Sequence, residues 1–255
     1  MEQLVSHPLF FFVVTMVFMS LAAWIGATVL RGKKPLDDAS RDDFSVVQSA
    51  TLTLLALVIG FSLSMAVGRY DQRKNYEEEE ANAIGTEFLR ADLLPASEAA
   101  ATRALLLKYL DQRIQNYRTR DPQQLAQIDA TTTQLEADMW TAVRTGAAAQ
   151  PNPVTALAVA GMNDVINTQG YTQAAWWNRV PFAAWALLVS IGLFSNLLVG
   201  YGSRTETARA RFLLVMPLVV SLSITLIADI DSPRNGIIRV VPQNLISLVQ
   251  SLPKP

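Results

Sequence analysis

FSVVQSATLTLLALVIGFSLSMAV, residues 44–67, runs through Gly68 into RYDQRKNYEEEEANAIGTEFLRADLLP, residues 69–95. The first half has no charged residue. At about 1.5 Å rise per residue it can cross a hydrocarbon core of roughly 30 Å. The second half is densely charged and meets no proline before Pro95. The spacing predicts one helix, from about Phe44 to Leu94, that leaves the membrane and projects into water. Gln48, Ser49, Thr51, Thr53, Ser62 and Ser64 punctuate its membrane half. Polar groups in hydrocarbon need a partner helix or water, so this face either packs on a neighbour or lines a wet path.

Outward from that helix, Leu9–Leu30 is a second charge-free block. Glu2 precedes it and no basic residue does, unlike a secretory leader, so it is read as a retained span. Arg31-Gly-Lys-Lys-Pro ends it, which makes residues 1–67 a transmembrane hairpin with spans at about 9–30 and 44–67. Residues 68–176 form a helical lobe. In it Leu105, Leu106, Tyr109, Ile114 and Tyr117 recur at helical spacing, and Asp121-Pro122 starts a helix carrying Leu125, Ile128, Leu135, Met139 and Val143. A further helix is expected from about Val154 to Trp176. Trp176, Trp177 and Arg179 have the composition of an interfacial belt. Residues 177–228 make a second hairpin with spans at about 181–199 and 212–228, and 229–255 is a tail. No segment alternates with period two, so the fold class expected is all-α: a polytopic membrane protein of four spans with a helical extramembrane lobe.

Composition supports this and removes other classes. Hydrophobic residues make up 51% of 255, gathered in long blocks, and the net charge of −1 offers nothing to nucleic acid. There is no cysteine and one histidine, His7, so thiolate chemistry and a histidine metal cluster are excluded. Phosphate loops, a nucleophile with its base, and zinc motifs are missing. The chain is therefore read as no enzyme and as needing no cofactor or metal. Four spans place both termini and the lobe on one side. Seven basic residues flank the membrane on each side, so charge does not orient the chain.

Two groups of charge stand out. Glu77, Glu78, Glu79 and Glu80 spread around their helix, and Arg73 and Lys74 lie within pairing distance along it. They are either a solvated face or, in an oligomer, a candidate acidic ring about an axis. Asp229 and Asp231 sit where the last span meets water, with Arg69 and Arg234 at similar depth as candidates for buried ion pairing.

Gly60-Phe61 with Arg69-Tyr70-Asp71, Glu79-Glu-Ala-Asn-Ala-Ile-Gly-Thr-Glu-Phe-Leu-Arg90 and Asp229-Ile-Asp-Ser-Pro-Arg-Asn-Gly-Ile-Ile-Arg239 resemble the bestrophin-like family of mainly bacterial membrane proteins over nearly the whole chain. Through Gly60-Phe61 and Arg69-Tyr70 the chain is distantly similar to bestrophins. That similarity implies a pentameric ion channel conducting anions or monovalent cations, with a pore neck on the second helix at Thr53, Leu57 and Phe61. It also implies a plasma (bacterial inner) membrane location and a cytosolic lobe and termini. The partners it implies are lipid, small inorganic ions and further copies of the chain. Two departures are visible. The acidic run that binds calcium after the last span of animal bestrophins is missing, and Thr53 is polar where that neck is apolar. The competing reading is a non-conducting membrane scaffold whose lobe binds a protein partner.

Overall fold

The computed structural model describes residues 8–33, 36–203 and 213–253. His7, Lys34 and the basic turn expected at Arg204, Arg209 and Arg211 lie outside them. Among the described residues the regular structure is helical: α1 Pro8–Ile25, continued by a π-helical turn Gly26–Leu30 and by Arg31–Lys33, then α2 Asp38–Arg90, α3 Ala96–Arg118, α4 Pro122–Ala149, α5 Thr155–Trp177, α6 Phe182–Gly202, α7 Val215–Asp231 and α8 Gln243–Ser251.

Helix α2 is one element of 53 residues, about 80 Å long. It tightens into a 3₁₀ turn, Ala91–Leu93, and stops where Leu94 turns extended, as a residue before proline must. Local signals set the other boundaries. The Asp121 carboxylate accepts from the Gln123 amide at 3.1 Å with Pro122 in the first turn of α4. At α5 the Asn152 Oδ1 accepts from the amides of Val154 and Thr155. Three stretches are long and apolar enough to cross a membrane: Pro8–Leu30, Ala39–Leu93 and Thr155–Gly202. The segment expected as a fourth span forms α7, 17 residues long, and falls short of that length criterion.

The chain divides into two units. One joins the residues up to Arg69 with Arg179–Arg239, and the other joins Tyr70–Asn178 with the residues from Val240 onward. In the first, α1 packs on α6 and α7. Its buried stripe is Thr15, Met19, Ala22, Ala23, Gly26 and Ala27, all small but Met19, at i, i+3/i+4 spacing. Gly26 and Gly200 face each other reciprocally. A Cβ on Gly26 would strike the Leu197 carbonyl, and one on Gly200 the Ala23 carbonyl. Within lipid no hydrophobic force pulls helices together, so association rests on such close backbone approach. The obstacle is backbone, so neither site can absorb a side chain by rotamer change. Gly200→Leu is expected to lower stability in detergent by about 1–3 kcal/mol or more, read as an earlier thermal transition.

In the second unit, α3, α4 and α5 close around Leu106, Tyr109, Leu110, Met139, Val143, Met162 and Val165, joined by Ile84 and Phe88 of α2 and Leu245 of α8. Trp176 belongs to this core and not to an interfacial belt. It is 6% exposed and stands edge-on to Tyr117, ring centres 5.1 Å apart, while its neighbour Trp177 is 74% exposed. Two adjacent helix positions point about 100° apart, so one tryptophan fills the core and the other leaves it.

Candidate functional site

Helix α2 carries a continuous inward stripe: Leu55, Ser62, Ala66, Arg73, Glu77, Glu80, Ile84, Glu87 and Ala91 are all buried. Their spacing repeats three, four and seven, which keeps one face inward along the helix. Thr53, Leu57 and Phe61 fall on the other side and are exposed, Leu57 at 48% and Phe61 at 67%. The Thr53 hydroxyl donates to the Ser49 carbonyl at 2.9 Å. Its hydrogen-bonding need is met within the helix, which lowers the cost of an apolar setting. Further along the same face Ser64, Gly68, Asn75, Glu78 and Asn82 are exposed as well.

The acidic run splits in two. Glu78 and Glu79 are exposed, whereas Glu77 and Glu80 are 1% and 0% exposed and committed to partners inside the chain. Glu77 accepts from the backbone amides of Asn244 and Leu245 at 2.9 and 3.0 Å and from the Asn244 side chain at 2.6 Å. It thereby supplies the start of α8 with the acceptor its first amides lack. Burial pushes its carboxyl up, and those three donors pull it back part of the way. Glu80 pairs with Arg113, itself 1% exposed, and also accepts from Tyr117 at 3.4 Å and Thr172 at 3.3 Å. Burial opposes the charge on Arg113, but the adjacent Glu80 carboxylate outweighs it and holds the guanidinium above its ordinary pKa. Of the four carboxylates of the candidate ring, Glu78 and Glu79 are the exposed ones.

Asp229 and Asp231 are buried at the end of α7, 5% and 6% exposed. Asp229 accepts from the amides of Ile237 and Ile238 at 2.7 and 2.8 Å, and Asp231 accepts from the Val180 amide at 3.1 and 3.2 Å. The loop after α7 folds back over Asp229, close enough that a Cβ on Gly236 would strike its carbonyl. Arg69, half-buried with its Nε unpartnered, is paired with neither aspartate. Asp229 is met by two backbone amides, and a carboxylate can accept from N–H groups as well as from a cation. Arg234 lies half-buried in the loop that follows Asp231. Asp229→Asn would turn one of the two acceptors into an NH₂ facing an N–H. The expected cost is about 1–3 kcal/mol, read as a lower melting temperature.

Glu87 was not singled out by its sequence neighbourhood. It is 0% exposed, and neither carboxylate oxygen has a hydrogen-bond partner. Its signal was positional, since Arg73, Glu77, Glu80 and Glu87 occupy the same helical stripe as Leu55 and Ala66. Among the described residues no three carboxylates or histidines converge to hold a metal ion.

A profile of the Bestrophin-like domain matches residues 11–245. No curated protein matches by sequence. Among solved structures, the chain is similar to a bacterial bestrophin homologue from Klebsiella pneumoniae, with a TM-score of 0.67 at 15% identity, covering 97% of this chain and 100% of that one. A point variant of that homologue gives a TM-score of 0.65 at 14% identity over 94% and 99% of the two chains. A crystal structure described only as a membrane protein gives 0.66 at 15% over 97% and 100%.

Proposed function

The chain belongs to the bestrophin-like family, and from that premise we propose that it assembles as a pentameric ion channel with α2 of each subunit around the axis. The observation that carries the reading is the face of α2 that the chain leaves unpartnered, where Thr53, Leu57 and Phe61 stand exposed opposite the inward stripe. Five copies of that face make a narrow apolar neck, which cannot replace an ion's hydration shell and so gates by excluding water. Beyond the neck the same face turns polar, and Glu78 and Glu79, roughly five helical turns past Phe61, give the vestibule a negative wall. That wall concentrates cations and favours monovalent cation over anion conduction. The lobe is assigned to the cytoplasm and the spans to the plasma membrane, on the family's pattern.

The scaffold reading has one observation in its favour. A groove of about 550 Å³ runs between α4 and α5, lined by Trp140, Pro151, Asn152, Val159 and Asn163. The two readings part on one experiment: purified protein is sized in detergent and then recorded in planar bilayers under a salt gradient. A pentamer with unitary currents and a cation-side reversal potential carries the channel proposal. A monomer, a dimer or a silent pentamer overturns it in favour of the scaffold.

A further inference from the structure

We propose that Glu87 is a proton-operated latch in the lobe: carrying a proton it lets α5 close on α2 at Gly161, and losing it drives α5 off that contact. The proposal goes beyond ion conduction and does not depend on it. It rests on how the two helices meet. Glu87 is wholly buried with both carboxylate oxygens unpartnered. Opposite it α5 presents Gly161, where a Cβ would strike Glu87 Oε2 and would lie 2.6 Å from Arg90 Nη1. Glu87 Oε2 and Arg90 Nη1 thus both reach over the Cα of Gly161, where the missing side chain leaves them room, and neither Glu87 oxygen is hydrogen-bonded there. A carboxyl in that setting stays neutral, because ionising it without partners costs several kcal/mol.

The charges acting on Glu87 come from both helices. Arg90 on α2 favours ionisation, and Asp164 on α5, 4.0 Å from Arg90 Nη1, opposes it. Helix α3 brings Arg103 alongside, but that guanidinium is engaged by Asp92, the Phe88 carbonyl and the Phe88 ring. Burial outweighs the attraction of Arg90 and pushes the Glu87 carboxyl up to about 8. If α5 lifts away, water reaches the carboxyl and it returns towards the ordinary 4.5. The closed form thus holds a proton that the open form releases. The sign follows: opening is unaffected by pH below 4.5, becomes about tenfold more favourable per pH unit between 4.5 and 8, and levels off above 8.

The test uses the full chain in lipid nanodiscs, with two readouts. Infrared spectra of protein labelled with ¹³C-glutamate report the carbonyl stretch of a protonated carboxyl. Amide hydrogen exchange, corrected for the intrinsic effect of pH, reports opening of α5 around Gly161. The expected result is a protonated-carboxyl band at about pH 6 that is lost by about pH 10 and is missing in Glu87→Gln. Exchange in α5 rises about tenfold per unit from pH 6 to about 8, then levels off, in the wild type, and is flat in Glu87→Gln, whose amide keeps the shape without the proton. Wild-type exchange that ignores pH, or the same pH dependence in the variant, overturns the latch. So does the lack of a titrating band in the wild type, which decides the matter even where Glu87→Gln does not fold.

Discussion

Arg113→Met lowers the stability of the lobe by about 3–5 kcal/mol, the largest loss expected from a single substitution in this chain. The partner left behind explains the size. Glu80 is 0% exposed, and without the guanidinium it keeps only the hydroxyls of Tyr117 and Thr172 at 3.4 and 3.3 Å. Two neutral donors at long distance do not replace a buried cation, so the carboxylate is stranded in the interior of the lobe. The companion Glu80→Leu/Arg113→Met removes both charges and is expected to recover most of the loss, because an apolar pair of similar volume is often neutral or better than a buried ion pair. Amide exchange of α3 and α4 in detergent measures the effect within the lobe and avoids a single midpoint for a chain of two units. A double variant no more stable than Arg113→Met would mean that the pair itself, and not the stranded charge, supplies the stability.

How much of this was legible in the sequence varies from residue to residue. The uninterrupted run from Phe44 to Pro95 produced α2 as one helix, because 3.6-residue periodicity and the lack of a breaker are local properties. The caps at Asp121 and the prolines at 95, 122 and 181 placed the other boundaries for the same reason. What could not be read was which carboxylates turn inward. Glu77-Glu-Glu-Glu80 looks uniform as a string, yet Glu77 and Glu80 reach partners 167 and 33 residues away, at Asn244 and Arg113. Contacts at such separations leave no mark in a window of ten residues. The stripe itself did leave one. Stepping from Leu55 through Ser62 and Ala66 by sevens, fours and threes arrives at Arg73, Glu77, Glu80 and Glu87, so following the face across the membrane boundary would have found the buried charges. Asp229 and Asp231 read as partners of Arg69 or Arg234 on depth alone. Depth along a span suggests a cation, but a loop folding back supplies amides at a position that depth does not reveal.

Phe61→Ala is expected to raise conductance or open probability about tenfold, if it takes as little as ~1.4 kcal/mol from the barrier to ion passage. Of the three residues on the proposed neck it is the bulkiest, and it is 67% exposed, so it packs on little within its own chain and its removal should leave folding and assembly alone. Leu57 is 48% exposed, and Thr53 already spends its hydroxyl on the Ser49 carbonyl. Shortening Phe61 therefore opens the ring at its narrowest side chain, lets water in, and lowers the dewetting barrier. Charge selection should remain, since Glu78 and Glu79 lie beyond the neck and are untouched by the change. Glu78→Gln/Glu79→Gln in the same background should shift the reversal potential towards the anion side while leaving the conductance gain in place. The same changes at Glu77 and Glu80 should cost stability instead, because those carboxylates hold α8 and Arg113. A Phe61→Ala protein that forms pentamers and conducts no better than the wild type would move the barrier off this face of α2. One whose selectivity collapses with the phenylalanine would place ion discrimination in the neck and not in the acidic wall.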